Sequence, residues 1–298
     1  MRDTNQQYPE TPVIIIERDD EQVTSPIVGT KSRRSWWMRW LVWGISIVVI
    51  ALLSLAAYKL AGLYYNIGVP ISASPSENIE KLKSPAKKEE AEVVMTTDSI
   101  LGVALDFYAI HGLRASIEFQ EPDTADQSVF LYCRSADHTS NGGYIGSLVA
   151  EGKEMTSDLD RLGYMAMAGN NMVVGVSSSD KVKDYVKEHG GSFFRQFVLV
   201  SNGVLPPRFY LHGKVERRAI GRMGDTIYYI ATRHKETLWD FADALREYGF
   251  VDAIYITGGT DYCYYRSRDG QRHDIGDIAD YPHKKWVGII PWLVFRKQ

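Results

Sequence analysis

The stretch Ala253-Ile-Tyr-Ile-Thr-Gly-Gly-Thr-Asp261 joins a short apolar run to two glycines, a hydroxyl and a carboxylate. The run is typical of a buried β-strand, and the paired glycines mark its end. Because glycine lacks a Cβ, it permits backbone conformations and close approaches that other residues block. Polar side chains at such a strand end face a ligand in many proteins and form an ordinary turn in many others, so the rest of the chain must distinguish the two.

An amphipathic helix leads into this strand. Thr237 is typical of an N-cap and Gly249 of a helix end, which predicts a helix over Leu238–Tyr248. Before it, the runs Arg217–Ile220 and Thr226–Ala231 flank a Gly-Asp turn and predict a β-hairpin. The apolar strand that ends at Gly258-Gly259 therefore follows a hairpin and a helix in the chain.

Further apolar and alternating runs extend over the C-terminal two thirds of the chain. They predict strands at 115–119, 129–133, 144–150, 164–168, 172–176, 193–200 and 286–295, and a helix at 180–189. Many strands, few helices and no regular alternation predict an α+β fold, β-rich and mixed or antiparallel, preceded by one transmembrane helix.

The transmembrane helix is predicted over residues 39–65. The chain carries no charge from Trp40 to Tyr58, and at a rise of about 1.5 Å per residue this stretch nearly crosses a hydrocarbon core of about 30 Å. Tryptophans crowd one end and tyrosines the other, as in the aromatic belts of a membrane span. Basic residues cluster before it, so residues 1–38 are predicted to be a disordered cytoplasmic tail and the C-terminal part extracytoplasmic, on the periplasmic side of the cell envelope in a bacterium.

Composition divides the residues after the predicted span into two segments. Residues 66–96 are rich in Ser, Pro, Lys and Glu and are predicted to be a linker, and residues 97–298 a globular domain. A net charge of −3 argues against a nucleic-acid partner.

The two cysteines, Cys133 and Cys263, form either a disulfide or two independent buried thiols. No zinc-type spacing, P-loop or dinucleotide motif is present, so we expect neither a metal nor a cofactor.

Arginines and carboxylates are the candidates for chemistry. Arg195 lies inside an apolar run, and Arg217-Arg218 open the predicted hairpin. A guanidinium binds phosphate or carboxylate through two hydrogen bonds, but each arginine can equally pair with a carboxylate or face solvent. Strand alternation sends Arg217 and Arg218 to opposite faces without showing which one points inward. Asp137 and Asp261 are candidates for proton transfer, although each alone is typical of a turn.

The segment from about Phe193 to Tyr265 resembles the phosphodiester glycosidase family. The likeness follows the order of parts: a turn at Val198–Gly203, an arginine strand Arg218-Ala-Ile-Gly221, the helix, and the Gly-Gly site Ile256-Thr-Gly-Gly-Thr260. A weaker likeness includes the early hairpin Gly146–Lys153.

The resemblance implies an enzyme that cleaves a sugar–phosphate diester of an envelope glycan. It implies that Arg218 holds the phosphate and that Thr257, Gly258, Gly259 and Thr260 surround the ligand. Arg195 is a further candidate for substrate binding, on the chemistry of its guanidinium alone. Thr257 replaces the aspartate of the family, and a threonine cannot serve as an acid, a base or a carboxylate nucleophile at ordinary pH. Asp261 or Asp137 is then expected to supply the catalytic carboxylate.

Two other functions remain open. The same fold can bind a glycan, a phosphosugar or a partner protein without cleaving anything, as a catalytically degenerate member would. The domain can also be purely structural and anchored to the membrane through residues 39–65. Whether this chain is an enzyme therefore depends on a carboxylate lying beside Arg218.

Overall fold

The computed structural model describes residues 34–64, 68–72, 74–86, 89–136, 143–157, 161–207, 209, 213–259, 261–276 and 290–297. Most of the predicted cytoplasmic tail, up to residue 33, lies outside the described residues. The chain divides into two compact units, Met1–Ser54 and Leu55–Gln298.

The N-terminal helix is the long apolar element of the chain. It runs over Arg34–Tyr64, beginning before the predicted span of 39–65. Its part Trp36–Tyr58 is long and apolar enough to cross a membrane. The large apolar side chains along this part are exposed, whereas a core helix would bury one face.

The described residues form four helices and sixteen strands. The helices are α1 (Arg34–Tyr64), α2 (Pro75–Lys83), α3 (Lys181–Glu188) and α4 (Leu238–Tyr248). The strands are β1 (Glu92–Ile100), β2 (Val103–His111), β3 (Leu113–Glu118), β4 (Val129–Arg134), β5 (Leu148–Ala150), β6 (Lys153–Thr156), β7 (Gly163–Ala168), β8 (Asn171–Val176), β9 (Ser192–Gln196), β10 (Val198–Val200), β11 (Arg217–Met223), β12 (Thr226–Thr232), β13 (Asp252–Gly258), β14 (Cys263–Arg266), β15 (Arg272–Ile275) and β16 (Trp292–Lys297).

The strands form three sheets in which every described pairing is antiparallel. The first sheet has the order β1-β2-β12-β11-β13-β10, the second β15-β14-β4-β16-β3, and the third β6-β5-β9-β7-β8. Apolar side chains of all three sheets meet in one buried cluster, which includes Ile220, Ile254, Cys133 and Phe194. The predicted α+β class with antiparallel sheets is confirmed.

Helices cover the other faces of two sheets. Helix α4 buries Leu238, Phe241 and Leu245 with Ala219 and Tyr255 on the outer face of the first sheet. Helices α2 and α3 cover the third sheet, where another apolar cluster lies. The central strands β11, β12 and β13 of the first sheet are thus mostly buried on both faces, whereas the edge strand β1 is largely exposed.

The predicted helix over Leu238–Tyr248 has the predicted bounds and caps. The hydroxyl of Thr237 accepts a hydrogen bond from the backbone N–H of Asp240 at 3.0 Å, and Gly249 ends the helix with φ of 109°. The predicted hairpin is the pair β11–β12. The helix and the hairpin are both predicted from local sequence signals, and the structure confirms both predictions.

Three predicted elements differ from the structure. The strand predicted over 144–150 begins only at Leu148. The single strand predicted over 193–200 is divided between β9 in the third sheet and β10 in the first. The last strand begins at Trp292, after Pro291, and residues 286–289 lie outside the described residues. A strand that passes between sheets keeps its apolar pattern, so the pattern alone does not show the break.

The predicted linker over 66–96 contains ordered structure. Helix α2 begins with a capping box in which Ser74 and Glu77 bond each other's backbone N–H groups, and Pro75 stands at its first position. Asn78 donates to the hydroxyl of Tyr164 at 2.5 Å, and Leu82 is buried in the cluster on the third sheet.

The residues before α2 also form hydrogen bonds with the domain. Ser201 donates to the carbonyl of Pro70 at 2.6 Å, and Ser72 accepts from the backbone N–H of Val176 at 3.0 Å. Strand β1 then starts at Glu92, inside the segment predicted as linker. We conclude that the domain begins well before residue 97.

We expect Leu82→Ala to destabilise the domain by about 2–5 kcal/mol, because the substitution removes a fully buried side chain and leaves a cavity. Thermal unfolding of the detergent-solubilised full chain, followed by near-ultraviolet circular dichroism, measures the effect. The neighbouring exposed Lys81→Ala is the matched control and should change stability little. Equal effects of the two substitutions would mean that α2 is not part of the core.

Candidate functional site

The candidate site lies where β11 begins and β13 ends. These two strands are neighbours in the first sheet, with Arg217 opposite Gly258 and Arg218 opposite Thr257. Antiparallel pairing therefore brings the predicted arginine strand and the Gly-Gly turn to one edge of the sheet.

A β-bulge sets which side chains face inward. The register shifts between Arg218 and Ala219, so that Ile256 has no opposite residue in β11. Ile256 lies in the central cluster and Tyr255 on the helix-covered face. Simple alternation would turn Thr257 to the helix side, but the extra residue turns it inward beside Arg218. Bulges re-aim side chains in this way and are frequent next to active sites.

Arg218 is the inward-facing arginine and is almost fully buried. One of its amino groups donates to the carbonyl of Gly259 at 2.7 Å. The other donates to the carboxylate of Glu216 at 3.1 Å and to the carbonyl of Asp261 at 3.3 Å. The Nε atom has no hydrogen-bond partner among the described residues. Arg218 thereby holds the turn that follows β13 onto the start of β11.

Asp261 places a carboxyl group beside Thr257. The hydroxyl of Thr257 donates to Asp261 Oδ2 at 2.5 Å, and the backbone N–H of Tyr262 donates to Oδ1 at 2.9 Å. Asp261 is 2% exposed. Burial raises the pKa of this carboxyl, while the positive charges of Arg134 and Arg218 and the two hydrogen bonds oppose the rise.

The two glycines are required for different reasons. A Cβ on Gly258 would lie 1.9 Å from the hydroxyl oxygen of Tyr255, a close approach that only glycine allows. Gly259 has φ of 82° and open space around it, so its backbone conformation is what favours glycine.

Arg217 faces the helix side and is bonded within the fold. Its guanidinium donates to the hydroxyl of Tyr255 at 3.2 Å, to the carbonyl of Glu236 at 3.0 Å, and to the carbonyl of Gly213. Arg217 therefore holds the segment before β11 in place and lies on the opposite face of the strand from Arg218.

One predicted site residue, Arg195, does not join this cluster. Arg195 lies on β9 in the third sheet, where it donates to the carbonyls of Ser177 and Ser179 and to the carboxylate of Asp180. These bonds fix the chain that enters α3. Asp137 and Thr260 lie outside the described residues.

Sequence reasoning missed two members of the cluster. Glu216 is the carboxylate nearest to solvent, with a side chain 40% exposed while its oxygen bonds Arg218. Arg134 at the end of β4 acts on Asp261 through its charge. Glu216 stands two positions before Arg218, just ahead of β11, and residues two apart on an extended chain share a face, so Glu216 was in principle detectable.

The described residues offer no group of three or more His, Cys, Asp or Glu side chains suited to a metal ion. A cavity of about 530 Å³ lies elsewhere, between α2, β8, the β2–β3 connection and the β11–β12 hairpin turn, and its lining includes none of the site residues. The chemistry available at the site is therefore a buried carboxyl, an accessible carboxylate and a fixed guanidinium, suited to proton transfer beside an anion.

We expect Gly258→Ala to destabilise the domain by about 1–3 kcal/mol, because its methyl group collides with Tyr255. Removing the hydroxyl in Gly258→Ala/Tyr255→Phe should recover part of this loss. Gly259→Ala is the matched control: its cost comes from backbone strain, so Tyr255→Phe should not relieve it. Urea unfolding of Gly258→Ala, of Gly259→Ala, and of each combined with Tyr255→Phe measures the effect. Equal rescue of both glycine variants by Tyr255→Phe would contradict the close contact.

The raised pKa of Asp261 predicts a pH dependence of stability. Its carboxyl titrates near the ordinary value of about 4 in the unfolded chain and higher in the folded one. The stability that the protonated group contributes is present below the unfolded pKa and is lost as pH rises through the folded pKa. Asp261→Asn cannot titrate. We expect this variant to gain stability relative to the wild type as pH rises from about 4 to about 8.

Urea unfolding at a series of pH values measures this gain. The exposed Asp98→Asn provides the control for the removal of a surface carboxylate. A difference for Asp261→Asn that stays constant or falls with rising pH would contradict the raised pKa.

No family model and no curated protein matches the chain. Among solved structures, it is similar to the catalytic domain of zebrafish N-acetylglucosamine-1-phosphodiester alpha-N-acetylglucosaminidase, auto-inhibited by its pro-peptide. The TM-score is 0.51 at 12% identity, covering 73% of this chain and 86% of that one. A hypothetical protein from Synechocystis gives a TM-score of 0.48 at 11% identity, covering 72% of this chain and 64% of that one. The likeness to the zebrafish domain shows a distantly related fold.

Proposed function

We propose that this domain acts on a sugar–phosphate diester at the edge formed by β11 and β13. One observation carries the proposal: the carboxyl of Asp261 is hydrogen-bonded to Thr257 at 2.5 Å. Thr257 stands where the phosphodiester glycosidases that the sequence resembles have an aspartate. Asp261 thus supplies a carboxyl group next to the position from which the family carboxylate is missing. The related fold of the zebrafish phosphodiester glycosidase domain supports the same class of ligand.

The residues of the cluster have distinct roles in this proposal. Asp261 protonates the leaving oxygen, a role that suits a carboxyl group whose pKa is raised by burial. Arg218 provides the positive charge for the phosphate. Its Nε has no hydrogen-bond partner within the described part of the chain but is buried, so a ligand accepts from it only if the turn moves. Gly258 and Gly259 let the backbone approach the sugar. Asp137 is the candidate for the second carboxylate, and Thr260 remains a predicted ligand contact.

The second candidate function is a module that binds a glycan or phosphosugar without cleaving it. Two observations favour it. The amino groups of Arg218 are already bonded to Gly259, Asp261 and Glu216. Asp261 is 2% exposed, so a substrate reaches it only if the turn moves.

The domain is proposed to work at a membrane surface. The apolar helix Trp36–Tyr58 would anchor it. The basic residues before this helix favour a cytoplasmic N-terminus, which leaves the domain extracytoplasmic and facing envelope glycans.

The test is sugar release from a panel of sugar-1-phosphodiesters by the detergent-solubilised full chain. We expect the wild type to turn over at least one member and Asp261→Asn to lose about 100-fold or more of the rate, since a general acid contributes about that much. Asp98→Asn is the matched control at an exposed position and should keep the wild-type rate.

Two other outcomes separate the hypotheses. Saturable binding without turnover, weakened in Arg218→Lys, would favour the binding module. Neither turnover nor binding of any diester would contradict both functions and leave a structural role for the domain.

A further inference from the structure

The two cysteines lie directly opposite each other in the second sheet. Cys133 is on β4 and Cys263 on β14, and they are register partners in the antiparallel pair. Both are buried in the central cluster. Their thiols are free in the structure.

The pairing brings them within reach of a disulfide. Directly opposite residues of antiparallel strands have Cα atoms about 4.5 or 5.5 Å apart, depending on the type of pair. Disulfides join Cα atoms about 4.4–6.8 Å apart, so either type of pair fits. Both side chains point to the same face because both belong to the central cluster. No movement of either strand along the other is needed to join them.

We propose that Cys133 and Cys263 form a disulfide that links β4 to β14. The two thiols lose two protons and two electrons, and one S–S bond replaces two S–H bonds. The electrons and protons pass to an external disulfide, such as oxidised glutathione or a thiol-oxidising protein, which is reduced to two thiols.

The bond would act on the candidate site. Cys133 is adjacent to Arg134, and Cys263 is two residues after Asp261. The charges of Asp261 and Arg218 act on both thiols, which places the pair beside the cluster. A cross-link between the two strands fixes Arg134 and Asp261 relative to each other. It also closes a loop from residue 133 to residue 263, which restricts the unfolded chain.

The surroundings favour persistence of the bond once it has formed. Burial raises the pKa of both thiols, which makes each of them a poor leaving group when an external thiol attacks the bond. External thiols reach the pair only through opening of the sheet. We therefore expect slow exchange in the native protein and rapid exchange after unfolding.

The experiment uses the detergent-solubilised full chain, reduced and then incubated with excess oxidised glutathione in urea just below the unfolding transition. The protein is quenched in acid, unfolded, alkylated and digested. We expect a peptide pair joined through Cys133 and Cys263 and two hydrogens lighter than the separate peptides. Free alkylated cysteines, or glutathione on each cysteine without the joined pair, would overturn the proposal.

Thermal unfolding provides a second readout. The oxidised wild type should unfold about 10 °C higher than the reduced wild type, as expected for a long closed loop in a domain of this size. Cys133→Ser/Cys263→Ser is the control and should give the same midpoint with and without reductant. A wild-type midpoint that does not respond to reductant after oxidation would also overturn the proposal.

Discussion

The buried guanidinium of Arg218 is the constraint on which the site depends. A full charge inside a protein is tolerated only when hydrogen-bonded and paired, because the loss of hydration costs several kcal/mol. Here the carbonyls of Gly259 and Asp261 and the carboxylate of Glu216 meet that need. The turn after β13 must therefore bend back over β11, which requires the left-handed conformation of Gly259. Asp261 is buried as a consequence.

Local signals predicted the elements that carry this site. The cap at Thr237, the glycine at 249 and the β11–β12 hairpin turn are each set by a few neighbouring residues, and all agree with the structure. The inward direction of Arg218 was not predictable, because it depends on the register between β11 and β13. The position of Thr257 depends on one bulge in that register, and a bulge leaves no mark on the apolar pattern of a strand.

The segment predicted as a linker shows where composition misleads. Ser, Pro, Lys and Glu dominate the segment 66–96. Helix α2 buries only two side chains on the third sheet, Asn78 and Leu82, so its other positions are polar. The capping box of Ser74 and Glu77 was visible in the sequence and marks a helix start, but average composition hides a short one-sided helix. The division of residues 193–200 between two sheets likewise depends on tertiary packing, which the local sequence pattern does not show.

The electrostatics of the cluster link ligand charge to the protonation of Asp261. Burial favours the neutral carboxyl, and the charges of Arg134 and Arg218 favour the ionised one. An anionic phosphate bound near Arg218 would offset part of the positive charge and raise the pKa of Asp261 further. The bound substrate would thus help to create the proton donor that its own cleavage needs, whereas a neutral glycan would not. Under the proposed function, the same cluster would catalyse the cleavage of phosphodiesters and would only bind uncharged sugars.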